Sequence, residues 1–258
     1  MKLLLWLAPL CLLAPTPLSA ASSDWFETEG ARLRLVTEEA AGPDGTLRGA
    51  LVIELEDGWK TYWKDPGDAG IAPQLDVSTS VNVDSAAISF PAPGRYGEGA
   101  DVWAGYSGSV SLPLTFRLSD PQAFTAIDAD LFLGVCRDLC IPVQARLSVL
   151  PGGDATVGEP LVAQAFAALP AAATSRFGAV SVVDQGSALR IEATAPDAAR
   201  SDLFVASPPG WVLRAPERDG TSFVVPVAAR PDGASAGTAF DYTLVSGSEA
   251  VEGTVHLP

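Results

Sequence analysis

Val110-Ser111-Leu112-Pro113-Leu114-Thr115-Phe116-Arg117-Leu118 decides how the rest of the chain is read. Val110, Leu112, Leu114, Phe116 and Leu118 share one parity, while Ser111, Thr115 and Arg117 take the other. Successive side chains of a strand point to opposite faces, so this pattern predicts a half-buried β-strand. Pro113 falls on the polar parity and has no N–H to give a ladder, which predicts an edge strand or a bulge.

The same period recurs on either side. Leu47, Leu51, Ile53 and Leu55 oppose Arg48, Glu54 and Glu56, and further runs follow at Leu131, Leu133 and Val135 and at Val143, Ala145, Leu147 and Val149. Asp44-Gly45 and Asp57-Gly58 punctuate the series as turns. Several strands with no helical period between Ala31 and Leu150 predict an immunoglobulin-like sandwich. From Pro160 to Pro170 the period changes: Leu161, Ala165 and Leu169 are spaced by four, as are Val162 and Phe166. Pro160 suits a first helical turn and Pro170 ends it, so a short helix is expected as a connector packed between modules. Strand signals resume at Val180–Val183, Leu189–Glu192, Phe223–Val225 and Tyr242–Val245, with turns at Gln185-Gly186, Asp219-Gly220 and Ser246-Gly247. The expected fold is all-β: two immunoglobulin-like β-sandwich modules, residues 22–152 and 178–258, joined by a linker helix within 153–177.

Composition limits what such a protein can do. Among 258 residues, 16 Lys+Arg against 31 Asp+Glu give a net charge of −15, which excludes a main role in gripping nucleic-acid phosphates. Hydrophobic residues at 48% with 18% charged exclude a disordered chain. Lys2, the apolar run from Leu3 to Ala14 and the small residues Ser19-Ala20-Ala21 have the layout of a secretory signal peptide over residues 1–21. About 12 apolar residues fall short of the ~20 needed to span a bilayer. No other stretch approaches that length, so no membrane span is expected in the mature chain. Cleavage after Ala20 or Ala21 removes Cys11 and leaves Cys136 and Cys140 in an exported protein, where disulfides persist.

These two lie in Cys136-Arg137-Asp138-Leu139-Cys140. Extended chain would hold their Cα atoms about 13 Å apart, whereas a disulfide needs ~4.4–6.8 Å. Pairing therefore requires a three-residue hairpin turn at Arg137-Asp138-Leu139, with both sulfurs at the mouth of a hairpin. As a staple the ring is weak: the loop-entropy expression gives a five-residue ring about 2 kcal/mol, against ~4.7 kcal/mol for a hundred-residue loop. Structural zinc wants four Cys or His ligands, and the chain offers one His, His256, and no Met but Met1. Three readings stay open at this point: a redox couple, a structural disulfide in a non-enzymatic binding or chaperone module, and a Cu(I) site made by two thiolates in a copper-handling protein. No cofactor is expected.

Gly58-Trp59-Lys60-Thr61-Tyr62-Trp63-Lys64-Asp65-Pro66-Gly67-Asp68-Ala69-Gly70, Phe90-Pro91-Ala92-Pro93, Tyr106 and Val135-Cys136-Arg137-Asp138-Leu139-Cys140-Ile141-Pro142 occur in that order. Together they resemble the periplasmic N-terminal region of the DsbD-type protein-disulfide reductases, and among these the ScsB-like branch in which two β-sandwiches precede the membrane part. The resemblance implies a periplasmic carrier whose Cys136 and Cys140 cycle between dithiol and disulfide. Its electrons would come from a thioredoxin-like or membrane reductase protein and pass to oxidised periplasmic proteins. It implies that Cys140 forms the mixed disulfide and Cys136 resolves it, and that a cap loop near Tyr96–Trp103 shields the pair. Members usually continue into a membrane domain and a thioredoxin-like domain; this sequence carries neither, so a separate donor is expected. Arg137 favours a neighbouring thiolate and Asp138 opposes it. Trp59, Tyr62 and Trp63 read either as core and rim packing or as a wall beside the sulfurs, and Lys60, Lys64 and Asp65 as a solvated edge.

Overall fold

The structure is a computed structural model that describes residues 21–67, 70–99, 102–152, 158–233 and 236–258. The expected signal peptide lies, apart from Ala21, outside the described residues.

Among the described residues the first module is two facing sheets. One runs in the order β1 (Phe26–Thr28), β2 (Ala31–Thr37), β3 (Thr46–Leu55), β9 (Val110–Leu118) and β6 (Val83–Ile88). The other runs β11 (Cys140–Val149), β10 (Ile127–Cys136), β4 (Lys60–Tyr62), β8 (Trp103–Tyr106) and β7 (Gly94–Tyr96), with β5 (Gln74–Asp76) also paired to β10. The apolar parities identified above meet between them: Leu47, Leu51, Ile53, Leu112, Leu114, Phe116, Leu131, Leu133 and Val135 are all buried in one core. Burial of these side chains, each contributing about 1.5–3 kcal/mol, is the main force holding the two sheets together.

The predicted helix forms as α1 (Gly158–Ala167), but it is not a connector packed between modules. It lies on the outer face of the first sheet, where Val162 and Ala165 bury Val36, Ala50 and Val52. The even-numbered residues of β3 are therefore covered as well as the odd ones, so the middle of that strand is buried on both faces and not half-buried. β9 is an interior strand, between β3 and β6, and has no bulge at Pro113, where Ala50 pairs directly opposite. The Ser89 N–H donates to the Pro113 carbonyl at 2.8 Å. In a strand the N–H and C=O of one residue point to the same side. The Pro113 N–H that would return this bond to Ser89 is missing, and the pairing of β6 with β9 stops there, just past Ile88.

The second module pairs β12 (Ala171–Ala172), β20 (Glu249–His256), β19 (Ala239–Ser246) and β15 (Ser201–Val205) in one sheet. The other holds β13 (Gly178–Asp184), β14 (Ala188–Thr194), β18 (Ser222–Ala229) and β16 (Val212–Leu213), with β17 (Glu217–Asp219) on β18. Turn glycines Gly186, Gly220 and Gly247 take φ of 87°, 64° and 64°, the left-handed values that Gly adopts without steric cost. Ala171 and Ala172, which the sequence reading leaves in the linker, join the second module by parallel pairing with Val251 and Glu252. Both modules are immunoglobulin-like sandwiches. They meet where Phe204 of β15 enters the first core edge-on to Trp63, ring centroids 6.0 Å apart.

Because Val162 is the largest fully buried side chain that α1 sets on the first sheet, Val162→Ala should lower the stability of the first module by about 2 kcal/mol. Urea unfolding followed by tryptophan fluorescence checks this, and the transition of the second module should not shift.

Candidate functional site

The hairpin β10–β11 runs in register from Ile127↔Val149 to Cys136↔Cys140, leaving Arg137, Asp138 and Leu139 as its loop. The Arg137 N–H donates to the Leu139 carbonyl at 3.3 Å, closing the turn. The two cysteines face each other directly, Cα atoms 4.1 Å apart, and are bonded as a disulfide. The sequence-derived hairpin and pairing are thus both present.

β10 alternates Leu131, Leu133 and Val135 into the core, so Gly134 and Cys136 face outward. An outward cysteine is ordinarily exposed, yet Cys136 is only 1% accessible. Its cover is aromatic. Tyr62, Trp103 and Cys136 form a separate buried cluster with Tyr96 packed against it. Tyr62 meets Trp103 edge-on at 5.7 Å, and Trp103 stacks on Tyr96 at 4.4 Å with 18° between the rings. Cys140, across the hairpin, is exposed. The pair therefore has one closed sulfur and one open one.

The Tyr62 hydroxyl lies 3.0 Å from both sulfurs. A disulfide carries no S–H, so the phenol is the donor. Burial raises the Tyr62 pKa above its usual 10, because a phenolate would lose its hydration. The phenol thus keeps its proton throughout the neutral range and can offer it to whichever sulfur gathers charge.

Three glycines make room for this cover. A Cβ on Gly134 would lie 2.9 Å from the Ile71 Cβ and 3.0 Å from the Tyr62 ring. One on Gly105 would come 2.3 Å from the Thr61 carbonyl and 2.9 Å from the Tyr62 Cα, and one on Gly94 would lie 2.6 Å from the Tyr96 hydroxyl and 2.7 Å from its ring. Gly134 is also tied to the overlying segment by its N–H bond to the Ile71 carbonyl, 3.2 Å. Tyr106, with a pKa pushed far up by burial, donates to the Pro91 carbonyl at 2.8 Å and fixes the approach to β7.

The residues singled out from sequence separate into groups. Tyr62, Tyr96 and Trp103 converge on the sulfurs. Trp59 packs in the core beneath Gly30 and receives the Arg137 guanidinium 5.1 Å over its ring. Trp63, adjacent to Tyr62, points the other way, into the core and against Phe204. Arg137 and Asp138 pair at 3.4 Å, with the Asp138 side chain 89% exposed; an ion pair this wet contributes little. Lys60, Lys64 and Asp65 are not a solvated edge. The Lys60 ammonium sits 4.4 Å over the Trp103 ring, the Lys64 ammonium 5.0 Å over the Trp63 ring, and Asp65 Oδ2 accepts from the Ser207 N–H of the second module at 2.6 Å. Sequence reasoning missed Ile71, and also Leu139, an apolar side chain 81% exposed beside Cys140. Its position between two cysteines in a turn was the available signal. Among the described residues no group of three or more His, Cys, Asp or Glu side chains is placed to hold a metal ion. No helix among them is long and apolar enough to cross a membrane.

The first module is thus an immunoglobulin-like sandwich with a disulfide across a hairpin mouth, under an aromatic cover. The family model described as thiol:disulfide interchange protein DsbD, N-terminal, matches residues 32–151, so the first module is a DsbD-type N-terminal domain. Both modules together are similar in fold to the crystal structure of the N-terminal periplasmic domain of ScsB from Proteus mirabilis. That match has a TM-score of 0.74 and 20% identity, and covers 93% of this chain and 99% of the other. No curated protein matches the sequence.

Gly134→Ala should displace the Tyr62 ring or the Ile71 segment and cost about 1–3 kcal/mol of stability, as overpacking does. Gly108→Ala, where a Cβ would meet nothing within 4 Å, should stay within about 0.5 kcal/mol of the parent. Parallel urea titrations of the two variants check the contrast.

Proposed function

We propose that this chain is a periplasmic thiol–disulfide exchange protein that relays electrons through the Cys136/Cys140 couple. The observation that carries the reading is the asymmetry of the pair: Cys140 is open, Cys136 is closed, and one phenol hydroxyl lies 3.0 Å from both sulfurs. In the reducing half-cycle a thiolate of the donor attacks Cys140 Sγ. The S–S bond breaks, its electron pair leaves on Cys136 Sγ, and the Tyr62 O–H stabilises the new thiolate. A second thiolate of the donor then attacks its own sulfur in the mixed disulfide, and both cysteines are released reduced while the donor leaves oxidised. In the other half-cycle the Cys140 thiolate attacks a disulfide of an oxidised partner, and Cys136 resolves the adduct. The thiolate is the attacking species in each step, so Cys140 must deprotonate to act.

The donor is a thioredoxin-like or membrane reductase protein and the acceptor an oxidised periplasmic protein. The matched DsbD model supports this, as does the periplasmic domain of similar fold. The signal peptide read from residues 1–21 provides the route of export. Cys136→Ser removes the resolving thiol, and in the presence of an oxidised periplasmic acceptor protein it should accumulate a covalent adduct that dithiothreitol releases. Cys140→Ser should accumulate none. Non-reducing electrophoresis with mass spectrometry of the bands reads the result. If neither variant captures the partner and both unfold at markedly lower urea, the disulfide is a staple and the relay is wrong.

A further inference from the structure

Two of the three aromatics over the sulfurs have a chain neighbour turned toward the second module. Trp63, next to Tyr62, meets Phe204. Arg95, next to Tyr96, ties the modules by three bonds: its Nε and Nη2 bond Asp202 Oδ2 and Oδ1 at 2.8 and 2.9 Å, and Nη2 also bonds the Leu203 carbonyl at 2.6 Å. The Arg95 guanidinium lies 4.7 Å over the Phe204 ring. The strand period accounts for this, since neighbours on β7 must point to opposite sides. Asp202, Leu203 and Phe204 are consecutive on β15, so one strand of the second module receives Arg95 and Trp63 together. The Arg95–Asp202 pair is bidentate and partly buried, with side chains 22% and 36% accessible, the geometry in which an arginine–carboxylate pair fixes orientation.

We propose that Arg95 and Asp202 are positioning residues for the disulfide: the second module, through this clamp, holds Tyr96 on Trp103 and Trp103 on Tyr62, and so keeps Cys136 closed while Cys140 stays open. The second module is then a brace for the cover. The inference rests on the exchange reading for its purpose, but its physical content is the accessibility of one sulfur. That accessibility can be measured with no partner protein.

The test is site-resolved alkylation of the fully reduced chain by iodoacetamide, with the modified fraction at Cys136 and at Cys140 followed separately by mass spectrometry. In the parent Cys140 should react and Cys136 lag far behind. Asp202→Asn and Arg95→Gln should each accelerate modification of Cys136 by about 2- to 30-fold, the span that coupling through packed networks covers, and leave Cys140 within about twofold. The double variant should be no faster than the faster single, because both substitutions break one clamp. Asp219→Asn removes the Arg190–Asp219 pair within the second module and controls for general loosening; it should leave the ratio of the two rates unchanged. Equal Cys136 rates in the parent and in both clamp variants, each with native circular dichroism, would overturn the proposal. So would a rise at Cys136 matched by Asp219→Asn. Neither result would touch the exchange reading, which stands or falls on capture of a partner by Cys140.

Discussion

The contact between one phenol hydroxyl and two sulfurs sets the terms for the rest of this site. Tyr62 and Cys136 are 74 positions apart in sequence, and their meeting requires β4 to lie beside β10 in a single register, Val135↔Thr61 and Cys136↔Lys60. A slip of one residue would turn Tyr62 into the core and bring Trp63 out over the sulfurs, because side chains alternate faces. Burial of Trp63 and Val135 in the main core prevents that slip. The hydrophobic core thus holds the hydroxyl in place, and the three glycines at 94, 105 and 134 leave the space that the cover occupies.

That arrangement produces a difference in kind between two chemically identical residues. Cys136 ends β10 under three aromatic rings, and Cys140 begins β11 in solvent. A disulfide buried on both sides would be inert, and one open on both sides would exchange with any small thiol. Here approach is directed to one sulfur and the departing charge to the other, where a protonated, desolvated phenol awaits it. Leu139 gives a visiting protein an apolar surface beside the open sulfur, within a chain that is otherwise strongly acidic.

Much of the fold was legible because it is local. The clean alternation of β9, β10 and β11, the Asp-Gly turns and the proline-bounded helix each carry their own signal, and the spacing of the cysteines alone required the hairpin. What failed was decided by neighbours distant in sequence. Pro113 reads as an edge residue until β6 is found paired along the far side of β9, stopping at Ile88. Lys60, Lys64 and Asp65 read as solvated because charge suggests water; their charged ends meet instead Trp103, Trp63 and the backbone of Ser207. The pair Tyr62-Trp63 was recognised as important, yet only the register of β4 assigns one ring to the sulfurs and the other to the second module. Sequence gave that module no site, and its own residues hold none of the chemistry; its influence passes through Arg95, one position away from a residue that covers the sulfurs.

The central claim is that Cys136 and Cys140 are a reversible couple within an intact fold. Its most direct test is equilibration of the protein in glutathione buffers of graded ratio, with the oxidised fraction read by alkylation and the fold by circular dichroism. A two-electron transition at a potential between about −270 and −120 mV, the range of exchange proteins, with native circular dichroism at both ends, is the predicted result. A potential below about −300 mV, as structural disulfides have, or loss of the fold upon reduction, would contradict it.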